Sequence, residues 1–166
     1  MSETSDRLKF PLLASGQAQK EATHNEALAL ADMLMQPVVQ SVAPASVPAS
    51  PQPGQCWIIG TGATGAWAGH DGALACWTSG GWRFAVPFDG MEAWNLATGT
   101  LVRRESAIWI TGIVNASQFR ISNVQVVGAR QAAIANPSAG ATIDAEARIA
   151  IGAVLAAMRT HGLIAP

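Results

Sequence analysis

Short apolar runs in the middle of the chain alternate with polar positions and are separated by glycine and serine, a pattern that predicts β-strands. The turn Thr78–Gly81 between two of these runs is typical of a hairpin. Six strands are predicted in this way, at residues 55–59, 73–77, 82–86, 92–96, 99–103 and 107–111. We therefore expect a small antiparallel β domain over residues 55–112.

The N-terminal region predicts an extended arm followed by a helix. Apolar residues recur at helical spacing between Ala27 and Leu34, and Pro37 ends the pattern. Thr23 and Glu26 have the spacing of a capping box, which places the helix start there. The arm, residues 8–16, carries an apolar patch that must lie either on its own domain or on a neighbouring subunit. We expect residues 1–40 to serve in docking and oligomerisation.

Residues 41–54 are rich in proline, alanine and serine, with prolines at positions 44, 48, 51 and 53. Proline at this density keeps the backbone extended, so this segment is predicted to be a linker. It would join the N-terminal region to the β domain.

The last region, residues 113–166, is predicted to contain a strand-like segment at 114–127 and a helix. Either Asp144 or Thr142 can cap the helix, and Gly162 supplies a glycine just past its end. The helix carries an apolar seam, with Leu155 beside it. The seam consists of Ala147, Ile151, Val154 and Met158. Such a seam can pack on the β domain or help close an oligomer through Ile151, Val154, Leu155 and Met158, but it is too short to form a coiled coil alone.

The composition favours burial against partners and excludes some functions. Only 13% of residues are charged, about half the usual fraction, and the net charge of −1 argues against nucleic-acid binding. No apolar run is long enough to span a membrane, and no secretory signal is present. Cys56 and Cys76 fall in predicted strands and are either free buried thiols or a disulfide.

No motif points to catalysis, a cofactor or a metal. Residues 60–65 match G-x-G-x-x-G, but the glycines that follow oppose the helix that a dinucleotide site requires. The histidines have no metal-ligand spacing. Paired carboxylates for sugar cleavage would have to come from Asp71, Asp89, Glu92 and Glu105, whose separation the sequence does not give. We expect a protein that is not an enzyme.

The six tryptophans all lie between residues 57 and 109, and an exposed indole ring can stack on a sugar. Most of them are expected to fill the core. Trp67, in the glycine-rich loop, is predicted to be exposed, with His70 and Asp71 beside it to contact hydroxyl groups. These three residues form a candidate glycan-binding site.

Several sequence blocks in order resemble the DUF2793 family of alphaproteobacterial prophages and gene transfer agents. The blocks are Leu12–Lys20, Thr23–Glu26, Gly65–His70 and Gly81–Phe84 with Pro87. The resemblance spans about residues 8–112, and the blocks at 127–134, 143–148 and 161–164 are similar to C-terminal segments of phage tail and fibre proteins. It implies a virion component, usually trimeric, and no catalytic residues.

Together these features predict an α+β protein that forms an intertwined homotrimer. The expected function is a non-enzymatic tail fibre, spike or attachment protein of a phage-like particle, made in the bacterial cytoplasm. Its partners would be its own copies and other tail or baseplate proteins, without nucleic acid or membrane insertion. The alternative is a carbohydrate-binding module that recognises a host surface glycan.

Overall fold

The computed structural model describes residues 4–16, 20–138 and 144–166, and the chain divides into two compact units after Ile113. The first unit contains one helix, α1 (Lys20–Leu34), and seven strands. The strands are β1 (Val38–Val42), β2 (Cys56–Ile58), β3 (Leu74–Thr78), β4 (Gly81–Ala85), β5 (Glu92–Asn95), β6 (Thr100–Glu105) and β7 (Ile108–Thr111). The described part of the second unit contains β8 (Phe119–Ile121), β9 (Val124–Val127) and α2 (Ala145–Thr160).

The seven strands form one sheet in the order β4-β3-β2-β1-β5-β6-β7. The α+β class and the six expected strands are confirmed. The sheet is mixed rather than antiparallel, because β1 pairs in parallel with both β2 and β5. This central strand was not predicted, since its residues lie across the expected boundary between the N-terminal region and the linker. It lies between the antiparallel halves β4-β3-β2 and β5-β6-β7 and joins them into one sheet.

Two hydrophobic clusters lie on opposite faces of the sheet. Successive side chains of β2 point to opposite faces, and they belong to different clusters. Cys56 and Ile58 belong to the first cluster, together with Met33 from α1. Trp57 and Ile59 belong to the second. The three residues of β2 are therefore all buried, as in a central strand covered on both sides.

The arm, extended here to include Asp6 and Arg7, folds back on the first unit and is held at the C-terminal end of α1. The buried Asp32 carboxylate accepts the backbone N–H groups of Arg7 and Leu8, at 2.8 and 2.5 Å. The Arg7 guanidinium donates to the carbonyl oxygens of Asp32, Met35 and Gln36. A cation at a helix C-terminus satisfies the last carbonyl groups and complements the helix dipole. Of the two alternatives for the arm, the structure shows the intramolecular one.

The capping-box prediction is wrong, because the described part of α1 already includes Lys20, so Thr23 lies inside the helix. Residues 17–19 lie outside the described residues. Glu26 instead pairs with Arg83 of β4, with Arg83 Nε 2.7 Å from Glu26 Oε1. The predicted end at Pro37 is confirmed by a helix that stops at Leu34.

The proline-rich segment 41–54 is part of the first unit and not a free linker. The Ala43 N–H donates to the Ile58 carbonyl at 2.8 Å, and the Gly60 N–H donates to the Pro44 carbonyl at 2.9 Å. Val47 packs against the second cluster. Proline does keep this segment extended, but the extended chain pairs with β2 and covers tryptophan rings.

The second unit contains a β8–β9 hairpin and α2, whose predicted ends are confirmed. The Asp144 carboxylate caps α2 by accepting the Ala147 N–H at 2.8 Å; Thr142, the other candidate, lies outside the described residues. At the other end Gly162 has φ +71°, and the Leu163 N–H donates to the Met158 carbonyl at 2.9 Å. This is a Schellman ending, which requires a left-handed residue that glycine adopts without strain.

Candidate functional site

The glycine-rich loop between β2 and β3 buries Trp67 instead of exposing it. A short 3₁₀ turn, Gly65–Trp67, folds the indole into the second cluster, where its exposed fraction is 0%. Its ring lies 5.2 Å from that of Trp82 and 6.1 Å from that of Trp57, both in tilted or edge-on contact. The prediction that Trp67 is exposed is wrong, because the loop folds inward to cover the outer face of β2–β4. A buried ring offers no face to a sugar.

His70 is also engaged within the fold. Its imidazole stacks on Phe84 with ring centroids 3.7 Å apart and an interplanar angle of 6°. The three predicted site residues therefore lie in one loop but do not share one surface. Only Asp71 of the three is exposed.

Asp71 fastens the glycine-rich loop. Its carboxylate oxygens accept the N–H groups of Gly62 and Ala63, at 2.8 and 3.0 Å. These two hydrogen bonds hold the pKa of Asp71 below its usual range, and the bond from Gly62 has the larger effect. The carboxylate is therefore ionised at neutral pH.

Asp71 also lines a cleft of about 370 Å³ between this loop and the turn that joins β6 to β7. We call it the Arg104 cleft. Its other walls include Thr61, Arg104, Ile108 and Trp109. The Trp109 indole N–H donates to the Gly72 carbonyl at 2.8 Å, which ties β7 to the loop. The cleft therefore combines a cation, an anion, a hydroxyl group and an apolar wall.

Sequence reasoning missed Arg104 and Trp109 as cleft residues. A signal was present, because β-strand alternation puts Arg104 on the same face as the fully buried Val102. Trp109 lies directly opposite Arg104 in the β6–β7 register and packs against the first cluster. An arginine at an inward position is the kind of exception that marks a candidate site.

Of the other carboxylates considered for catalysis, Glu92 is exposed on β5, and Asp89 and Glu105 bind groups of the chain itself. Asp89 accepts the N–H groups of Ser106 and Ala107, at 3.1 and 3.2 Å. Glu105 pairs with Arg103. Among the described residues there is no group of three or more His, Cys, Asp or Glu side chains placed to hold a metal ion. Neither described helix is long and apolar enough to cross a bilayer.

Cys56 and Cys76 face each other across β2 and β3 as free thiols. Both belong to the first cluster and are almost completely buried. The hydrogen bond with Cys56 and burial together raise the pKa of the Cys76 thiol. Of the two alternatives drawn from the sequence, the structure has the free thiols.

The second unit carries a large exposed apolar surface, which we call the apolar surface of unit 2. Of the four residues assigned to oligomerisation, Ile151 and Val154 are exposed at 48% and 59%, Met158 is half-buried, and Leu155 is buried within the chain at 6%. Further apolar side chains of this unit are exposed as well. They are Val114, Phe119, Ile121, Val124, Val126, Val127, Ile134, Ile149 and Leu163.

The fold and these surfaces define an α+β protein with a tryptophan-filled mixed sheet and a second, sparsely packed unit. The chain matches the family model described as "Protein of unknown function (DUF2793)" over residues 24–110, just over half of its length, and it belongs to that family. This confirms the resemblance to DUF2793. No curated protein and no solved structure matches the chain.

Proposed function

We propose that this protein is a non-enzymatic structural component of a phage-like particle, a tail fibre, spike or attachment protein that assembles as a homotrimer. The resemblance of the sequence to prophage and gene-transfer-agent proteins supports a place in a phage-like particle. The number of chains comes from the fibre proteins that the C-terminal blocks resemble. The need to assemble comes from the surface of the second unit.

The observation that carries the proposal is the small interior of that unit. Among the described residues after Ile113, the buried hydrophobic side chains are Leu155 and Ile164. A two-stranded hairpin is marginally stable in water, and a segment of this size needs a fuller core, a metal or a partner. Every residue of β8 and β9 is exposed. Copies of the chain would supply the missing interior by covering the apolar surface of unit 2.

A paired substitution on α2 tests this assembly. Ile151→Asp with Val154→Asp places two carboxylates on the exposed apolar stripe beside Leu155, and we expect the assembly to dissociate into single chains in analytical ultracentrifugation. The matched control is Ala153→Asp with Ala156→Asp, which keeps the three-residue spacing and puts the same charges on the side of the helix opposite Ile151 and Val154, where both alanines are exposed. The control is expected to keep the assembled mass. Dissociation of both variants, or of neither, would contradict a role for the Ile151–Val154 stripe.

The place of the protein in a particle needs a separate test. An epitope tag inserted after Thr98, in the exposed turn between β5 and β6, leaves the apolar surface of unit 2 unchanged. Immunogold labelling of purified particles is expected to decorate a tail, baseplate or other appendage at discrete positions. Particles that carry no label, when the tagged protein is expressed, would contradict a virion role.

A further inference from the structure

Arg104 occupies a position where a charge is unfavourable. It follows the fully buried Val102 on the inner face of β6, at the edge of the first cluster, and the side chain is half-buried. Its guanidinium carbon lies 5.7 Å from the centre of the Trp109 ring. This cation–π contact orients the guanidinium at the Arg104 cleft but does not neutralise its charge.

Within residues 4–16, 20–138 and 144–166, no carboxylate forms an ion pair with Arg104, and its guanidinium donates no hydrogen bond. The ion pairs of the first unit join other residues, Arg83 with Glu26 and Arg103 with Glu105. Asp71 lines the same cleft, but its two oxygens accept the N–H groups of Gly62 and Ala63 and form no ion pair with Arg104. A partly desolvated cation without a partner is costly, and an anionic ligand would remove that cost.

We infer that the Arg104 cleft binds an anionic saccharide, a sugar unit that carries a carboxylate group, such as a hexuronate. The planar guanidinium presents paired donors that match a carboxylate in bidentate geometry. Trp109 and Ile108 form an apolar wall for the C–H face of the ring, and Thr61 and Asp71 lie where they can bond its hydroxyl groups. The cleft volume of about 370 Å³ falls in the ordinary range for small-ligand sites.

A sugar that carries a carboxylate fits these walls better than a neutral sugar or a small inorganic anion does. A neutral sugar would leave the Arg104 charge unpaired, and a small inorganic anion would leave the Trp109 and Ile108 wall uncovered. The site also differs from the Trp67 site expected from the sequence, with which it shares only Asp71. All of its residues belong to the first unit, so the inference does not depend on the proposed assembly.

The inference is tested by titrating the full chain with methyl glucuronide and with methyl glucoside in an isothermal calorimeter. The two compounds differ by the carboxylate, and we expect the glucuronide to bind at least about tenfold more tightly, since charge-assisted hydrogen bonds carry the difference. Its affinity should fall as salt is added. Glucose 6-phosphate is titrated as a third compound, and it distinguishes a carboxylate site from a site that accepts any anion.

Arg104→Met keeps the aliphatic stem but removes the charge, and it should weaken glucuronide binding at least about tenfold. The matched control is Arg103→Met, the neighbouring arginine, which pairs with Glu105 and does not line the cleft. It should bind as the unchanged protein does. If Arg104→Met fails to fold, Arg104→Lys keeps the charge but loses the bidentate fork, and it too should bind more weakly.

Any of four results would overturn the inference. The first is a wild-type protein that binds neither sugar at millimolar concentration, and the second is one that binds both equally. The third is a folded Arg104 variant with unchanged affinity for the glucuronide. Equal binding of glucose 6-phosphate would overturn the assignment to a carboxylate sugar.

Discussion

Trp67 illustrates how a single ring organises the second cluster. It is fully buried and lies edge-on to Trp82, which in turn contacts Trp57 at 5.6 Å and Trp77 at 5.1 Å. Edge-to-face pairs at these distances are favourable for aromatic rings. Four of the six tryptophans therefore share one cluster beneath the glycine-rich loop.

Replacing Trp67 with alanine should destabilise the first unit by about 3–5 kcal/mol, because a large buried ring is lost and a cavity remains. Chemical denaturation followed by tryptophan fluorescence measures this change. The matched control is Trp94→Ala, since Trp94 is 45% exposed on the sheet surface; its effect should be much smaller. A Trp67 variant with unchanged stability would mean that the ring is not a core element.

The thiol pair predicts a pH dependence of stability. Cys76 has a raised pKa in the folded protein, so it stays protonated there while the thiol of the unfolded chain ionises above about pH 8.5. A raised folded pKa contributes stability that is complete below the unfolded pKa and is lost as pH rises above it. Between about pH 7.5 and about pH 9.5 the Cys76 thiol should therefore lower the free energy of unfolding, while Cys56, whose pKa the same hydrogen bond lowers, acts in the opposite sense.

Urea titrations at the two pH values measure this loss, and Cys76→Ala supplies the comparison. The alanine variant should be less stable at both values but should lack this component of the pH dependence. An identical pH dependence in the two proteins would show that Cys76 ionises equally in the folded and unfolded states.

At the level of elements, the arm and α1 depend on each other through Arg7 and Asp32. Asp32 is buried at 4% and binds two backbone N–H groups of the arm, while Arg7 binds the carbonyl groups at the end of α1. A second contact holds the arm at the β3–β4 turn, where the Asp6 carboxylate accepts from the Ser79 N–H at 2.9 Å. The arm is thus fixed at both the helix and the sheet.

Asp32→Ala should release the arm, because two backbone N–H groups lose their acceptor, at a cost of about 1–3 kcal/mol. Limited trypsin digestion measures the release, since Arg7 and Lys9 lie within the arm. Asp89→Ala removes a carboxylate that bonds two N–H groups in a different turn, and it should leave arm cleavage unchanged. Equal cleavage of the Asp32 variant and the unchanged protein would show that Asp32 does not retain the arm.

Local patterns predicted most of the elements, and the misses share one physical cause. Alternation and turn residues located six strands, and Asp144 and Gly162 located the ends of α2, because these signals act within a few residues. The strand β1 could not be assigned from sequence, since its parallel partners lie far along the chain at Cys56 and Trp94. The same limit explains why Trp67 was wrongly predicted to be exposed and why Arg104 was missed, since segments distant in the sequence surround both residues.

At the level of the whole molecule, the two units are unequal in their interiors. The first unit buries two clusters on either side of its sheet, whereas the described residues of the second bury Leu155 and Ile164. A low fraction of charged residues, 13%, leaves few groups to solvate such a surface. The composition of the whole chain indicated burial against partners, but it did not show that the arm and the proline-rich segment complete the first unit while the interior of the second stays small.

The central claim is therefore that copies of this chain complete the interior of the second unit. Sedimentation equilibrium of the unmodified protein at micromolar concentration tests it most directly. We expect a stable species with the mass of three chains. A stable single chain of 17.2 kDa, with α2 and the hairpin still folded by circular dichroism, would contradict the claim.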